Sequence, residues 1–135
     1  MNADLILLLA RVLFSALFIM SGIGHFAQRE AMTGYAKFKG VPAAGAGVVL
    51  SGIVFLLGGL SILLGVHAEY GALAIAIALL PTAVLMHAFW KETDPQAKQM
   101  EMIGFNKDLS LAGAAFALFV LFHEFGGQLG LLLVK

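Results

Sequence analysis

Four apolar stretches, roughly Leu5 to Gly24, Pro42 to Val66, Tyr70 to Trp90 and Leu109 to Val134, take up most of this 135-residue chain. Each is at least about 20 residues long, which is what a helix rising ~1.5 Å per residue needs to cross a hydrocarbon layer of ~30 Å. No water reaches the backbone N–H and C=O groups in that layer, so a spanning segment has to be a helix or part of a closed barrel. The runs are too long for barrel strands of ~9–11 residues, and they lack strict apolar/polar alternation. The sequence therefore predicts an all-α integral membrane protein, a four-helix bundle forming one domain over residues 1–135. The remaining pieces, 25–41, 67–69 and 91–108, are too short for a separate extramembrane domain.

Composition narrows the function classes. Apolar residues make up 61% of the chain and charged residues 12%, and the mean hydropathy is +0.96, so the lipid bilayer is the expected partner. Eight Lys plus Arg balance eight Asp plus Glu, which leaves no basic excess to hold a nucleic acid. The absence of cysteine excludes disulfides, thiolate metal sites, iron–sulfur ligation and a cysteine nucleophile. The residues before the first apolar block include no Lys or Arg, so that block reads as a retained helix rather than a cleaved signal.

Basic residues give an orientation. Arg29, Lys37 and Lys39 lie in the first loop and Lys91, Lys98 and Lys107 in the third, whereas the turn at 67–69 has no Lys or Arg. The positive-inside bias puts loops 25–41 and 91–108 in the cytoplasm and both termini outside. Met32, Tyr35 and Phe38 recur every three residues in the first loop among charges, which suits a short interfacial helix, an ordinary loop being the alternative.

Small residues four apart, Gly47/Ser51, Ser61/Gly65, Gly113/Ala117 and Gly126/Gly130, mark the second and fourth spans as packing elements or as a homo-oligomer face. Pro81 predicts a bend in the third span, with Thr82 placed to re-satisfy a freed carbonyl. Asn106 or Asp108 is the expected cap of the fourth span.

Arg11, inside the first span, needs a partner or a route to the surface. Glu124, with His123 beside it, lies at a compatible depth in the fourth span, so Arg11, His123 and Glu124 form a candidate intramembrane cluster, either a structural ion pair or part of a ligand site. His25 and His87 sit near the same end of the first and third spans, where they could contact a quinone carbonyl, ligate haem iron or serve as interfacial residues. No pair of acids, nucleophile with base, or H-E-x-x-H pattern suggests a catalytic set or a metal site.

The early Arg11, Gly22-x-Gly24-His25-Phe26, the run Leu56-Leu57-Gly58-Gly59-Leu60-Ser61-Ile62-Leu63-Leu64-Gly65, and Phe105-Asn106-Lys107-Asp108-Leu109-Ser110-Leu111-Ala112-Gly113 together resemble the DoxX family of small bacterial inner-membrane proteins. The most specific element is the F-x-K-[ND]-L-x-x-x-G pattern, met by Phe105, Lys107, Asp108, Leu109 and Gly113, with Asp108 where most relatives carry Asn. The acid many relatives have early in the second span is missing from Gly47-Val48-Val49-Leu50-Ser51-Gly52. The resemblance implies an accessory or scaffolding subunit of a membrane-associated complex with a protein partner. It also implies a second option, a quinone-interacting subunit of an oxidoreductase of thiosulfate:quinone or redox-stress type. An oligomeric small-solute transporter is the third reading.

Overall fold

The computed structural model describes residues 2–135. Five α-helices carry the fold: α1 (Ala3–Ala27), α2 (Arg29–Phe38), α3 (Ala44–Leu64), α4 (Ala68–Met86) and α5 (Pro95–Phe125). All but α2 are long and apolar enough to cross a membrane, and the large exposed side chains along them, such as Leu13, Met20, Leu50 and Ile77, form the surface that lipid would cover. Helix α2 is the short amphipathic helix expected in the first loop.

The helices pack in the order α1 on α3, α3 on α4 and α4 on α5, with α2 resting on α3. Close approach depends on glycine at the α1–α3 and α3–α4 seams: a Cβ on Gly22 would lie 2.6 Å from the Leu56 amide nitrogen, and one on Gly71 would lie 2.6 Å from the Ser61 hydroxyl. Packing Phe18 on Phe55 at 5.5 Å between ring centres, with Ile62, Ile75 and Phe122 buried nearby, completes the core. The second apolar block is thus the central helix. The same role expected for the fourth is not met, since Gly113 faces open space and α5 packs mainly on α4.

Three local expectations are corrected. Hydropathy puts the fourth span at 109–134, but α5 begins at Pro95, capped by Asp94, whose carboxylate accepts from the Ala97 amide at 2.9 Å. Asp94-Pro95 is a stronger start than Asn106 or Asp108, because the cap satisfies an orphan amide and proline fits the first helical position. At its other end α5 stops at Phe125: Gly126–Gln128 form a 3-10 turn, and the chain then returns without regular structure, Leu131 taking a positive φ of 58° and Val134 bridging in parallel to Val66. Thr82 donates to the Ala78 carbonyl at 2.8 Å, not to Ile77, the carbonyl that Pro81 leaves without an amide.

Candidate functional site

Arg11 is 1% exposed and takes no part in a carboxylate pair. Its Nε donates to the Ile62 carbonyl at 2.8 Å, Nη2 to Leu63 at 2.6 Å and Nη1 to Leu131 at 2.8 Å. The last carbonyls of a helix have no amide partner within it, and the guanidinium supplies one from the neighbouring α1 while fastening the returning C-terminal segment. Gly130 adds a second tie, its amide donating to Asp4 Oδ1 at 3.0 Å. The expected cluster with Glu124 and His123 is therefore not formed. Both residues are exposed, and His123 stacks on Phe119 at 5.4 Å between ring centres. Depth along the span was compatible, but the orphan carbonyls of α3 lie within reach of Arg11 and satisfy its donors.

The opposite end of the bundle holds the larger feature. A cavity of about 880 Å³ opens between α1, α3 and α4, with α2 along its membrane-surface end and Asp108 of α5 in its wall. Leu17, Leu50, Ile77 and Leu85 belong both to its lining and to the exposed apolar surface, so the cavity opens sideways toward lipid. Sequence reasoning singled out His25 and His87, and the structure places both in the wall of this one cavity.

His25 is buried at the end of α1, with Nδ1 2.6 Å from the Ser21 carbonyl and the ring edge-on to Phe55. His87 caps the end of α4 and is the hub of a polar network. Its Nδ1 lies 2.8 Å from Glu101 Oε2, and its Nε2 lies 3.5 Å from Asp108 Oδ2. Glu101 Oε1 accepts in turn from Lys39 Nζ at 3.0 Å and from the Tyr35 hydroxyl at 3.4 Å, and Lys39 also reaches Glu92 at 3.2 Å. Burial alone would lower the Lys39 pKa, but its hydrogen bonds to Glu101 and Glu92 outweigh that and hold it above the ordinary lysine range as an ammonium. Gly104 permits the approach of α5, since a Cβ there would meet His87 Nδ1 at 2.6 Å.

Asp108 and Glu101 were not among the residues singled out as a site. In the sequence Asp108 is one of two candidate caps, with Asn106, and part of the F-x-K-[ND]-L-x-x-x-G pattern, and Glu101 falls within the third loop, 91–108. The signal that could have found them is Asp94-Pro95: starting the helix there places Glu101 and Asp108 two turns apart on one face, because seven residues make about two turns. Among the described residues no group of three His, Asp or Glu side chains is arranged to hold a metal ion.

With this geometry in view, a family model described as DoxX matches residues 6–88, well over half of the chain. The chain belongs to the DoxX family. The matched segment runs from α1 through the end of α4, so it includes Arg11, His25 and His87, while the α5 residues Glu101 and Asp108 lie beyond it. No curated protein and no solved structure matches this DoxX chain. Together with the four candidate spans, membership makes it a multi-pass membrane protein.

Proposed function

We propose that this DoxX protein is a bacterial inner-membrane subunit that binds a lipophilic ligand of the quinone class in the cavity between α1, α3 and α4, and serves a membrane-associated complex rather than acting alone. The observation that carries this reading is the form of the cavity: largely apolar walls open to lipid, with His25, His87 and Asp108 converging from three helices. Concave apolar sites with a few convergent polar groups are the usual form of small-molecule sites, and about 880 Å³ accommodates a ring and the first part of an isoprenoid tail. The buried Asp108 Oδ2, which has no hydrogen-bond partner, marks where a polar head would be held.

The accessory role is the part of the reading that the side-chain chemistry supports. The polar side chains that reach the cavity, His25, His87 and Asp108 among them, are read as binding and positioning groups. Orientation is part of the proposal: the basic residues of α2 and of the stretch 91–107 put the α2 end in the cytoplasm and both termini outside. Native mass spectrometry of the protein released from its own membrane in mild detergent tests the reading. A retained small molecule of quinone mass, lost when His25 and His87 are both replaced by Leu, is expected. A spectrum holding only phospholipid at every stage would overturn it.

A further inference from the structure

The hydrogen-bonding groups of the cavity wall bear on the kind of head group it could hold. This step rests on the cavity being the ligand site. A carboxylate only accepts, so the contact between His87 Nδ1 and Glu101 places the imidazole proton on Nδ1. The contact between His25 Nδ1 and the Ser21 carbonyl does the same for His25. A ring protonated on Nδ1 alone presents Nε2 as an acceptor. The hydroxyl protons of Ser51 and Thr82, also in the cavity wall, are directed to the backbone, at Gly47 and at Ala78. Pro81 gives no amide to the Ile77 carbonyl.

The decisive atom is Asp108 Oδ2. Its side chain is 5% exposed, it lines the cavity, and Oδ2 has no hydrogen-bond partner even though His87 Nε2 is 3.5 Å away. With His87 protonated on Nδ1 alone, these two atoms are both acceptors, and a donor placed between them can pair with either. Around Asp108 the cations and donors have other contacts: Lys107 Nζ lies 3.7 Å from Oδ1, Lys39 is held by Glu92 and Glu101, and the Tyr35 hydroxyl points to Glu101, while the Ser21 hydroxyl and the Gln28 amide are further donors in the cavity wall. Doubly protonated His87 would add a donor at Nε2, but Oδ2 is out of hydrogen-bond geometry with it in this structure.

We infer that the cavity selects a head group that donates a hydrogen bond, a phenolic or quinol hydroxyl, over the corresponding carbonyl compound, with the hydroxyl directed to Asp108 Oδ2 and His87 Nε2. Sites built to pair with a hydroxyl reject analogues lacking it, because the protein's own polar groups are then left unpaired.

The test is equilibrium binding to the full chain in lipid nanodiscs, against protein-free discs, with three probes sharing one decyl tail: a benzoquinol kept reduced without oxygen, its oxidised benzoquinone, and its dimethyl ether. The expected result is that the quinol binds about tenfold or more tightly than the other two. Asp108→Asn, whose amide can donate, is expected to shift preference toward the quinone. Wild-type protein alone decides the matter if that variant fails to fold. Equal affinity for all three probes would overturn the donor-selective head while leaving the cavity as a binding site. No binding above that to empty discs would overturn the cavity reading, and this inference with it.

Discussion

Replacing Arg11 with Met should loosen the end of the bundle where α3 stops. The substitution keeps a long side chain but removes the three hydrogen bonds to Ile62, Leu63 and Leu131. A hydrogen bond from a charged donor contributes about 1.5–3 kcal/mol, and bonds sharing one guanidinium are not additive, so the expected loss is about 3–5 kcal/mol. Arg11→Lys should fall between, at about 1–3 kcal/mol, because an ammonium lacks the planar fork that reaches three separate carbonyls. Glu124→Gln serves as the control and should change stability by less than about 0.5 kcal/mol, as expected for a surface position. Reversible unfolding by sodium dodecyl sulfate in mixed micelles, followed by the fluorescence of the single tryptophan, Trp90, measures all three. Labelling of a thiol at Val134→Cys gives a local readout, since the native chain has no cysteine and Val134 pairs with Gly65 and His67. Its reaction with a maleimide should quicken in the Arg11→Met background. A Glu124→Gln variant as unstable as Arg11→Met, with no change in labelling at residue 134, would refute the capping role and restore the ion pair.

Other substitutions probe separate parts of the fold. Gly22→Val should destabilise the α1–α3 seam by more than about 3 kcal/mol in the same unfolding assay, because Cβ lands on the Leu56 backbone. Gly47→Ala, facing open space, should cost less than about 0.5 kcal/mol, and equal effects would show that the seam is elsewhere. Pro81→Ala restores an amide for Ile77 and should raise stability by up to about 1 kcal/mol while weakening ligand retention in native mass spectra; unchanged stability would mean the Ile77 carbonyl is already satisfied. Lys98→Cys and Val134→Cys should react with a membrane-impermeant maleimide from opposite faces, the latter in intact spheroplasts, and reaction from one face would overturn the topology.

What the sequence disclosed and what it hid follow one physical line. Apolar length is a local property, so the four spans and the amphipathic periodicity of Met32, Tyr35 and Phe38 could be read without neighbours. Partner choice is not local. Arg11 and Glu124 matched in depth, yet depth does not show which face of a helix meets which neighbour, nor that three carbonyls would converge on the guanidinium. His25 and His87 could be paired by depth because they end helices that lie on either side of α3. Asp108 and Glu101 are hidden by extent: the polar stretch Lys91 to Gln99 lowers hydropathy and reads as loop, although the helix already begins at Pro95. Helicity there is set by the Asp94 cap and by packing on His87.

The two halves of α3 differ in a way that accounts for both features of the molecule. From Gly52 onward its glycines bring backbones close: Gly52 against the His25 side chain, Gly59 against Ile19, Gly58 against Ile75 and Gly71 of α4. That half is closed by the Arg11 clamp and the C-terminal segment, leaving little room to rearrange. Before Gly52 the same helix presents Gly47 to open space and Val48 and Ser51 to the cavity. Here α4 carries Pro81, and the end of the bundle is held by side chains, Lys39 to Glu101 to His87, rather than by backbone contact. Side-chain ties can part with less disturbance than interlocked backbones, so local opening is expected in this half. Hydrogen exchange should show it: amides of α2 and of Ala44–Leu50 exchange faster than those of Phe55–Ile62, and a bound quinol analogue slows only the first group. Uniform exchange along α3 would mean that the helix opens as one unit and that the packing difference does not govern its motion.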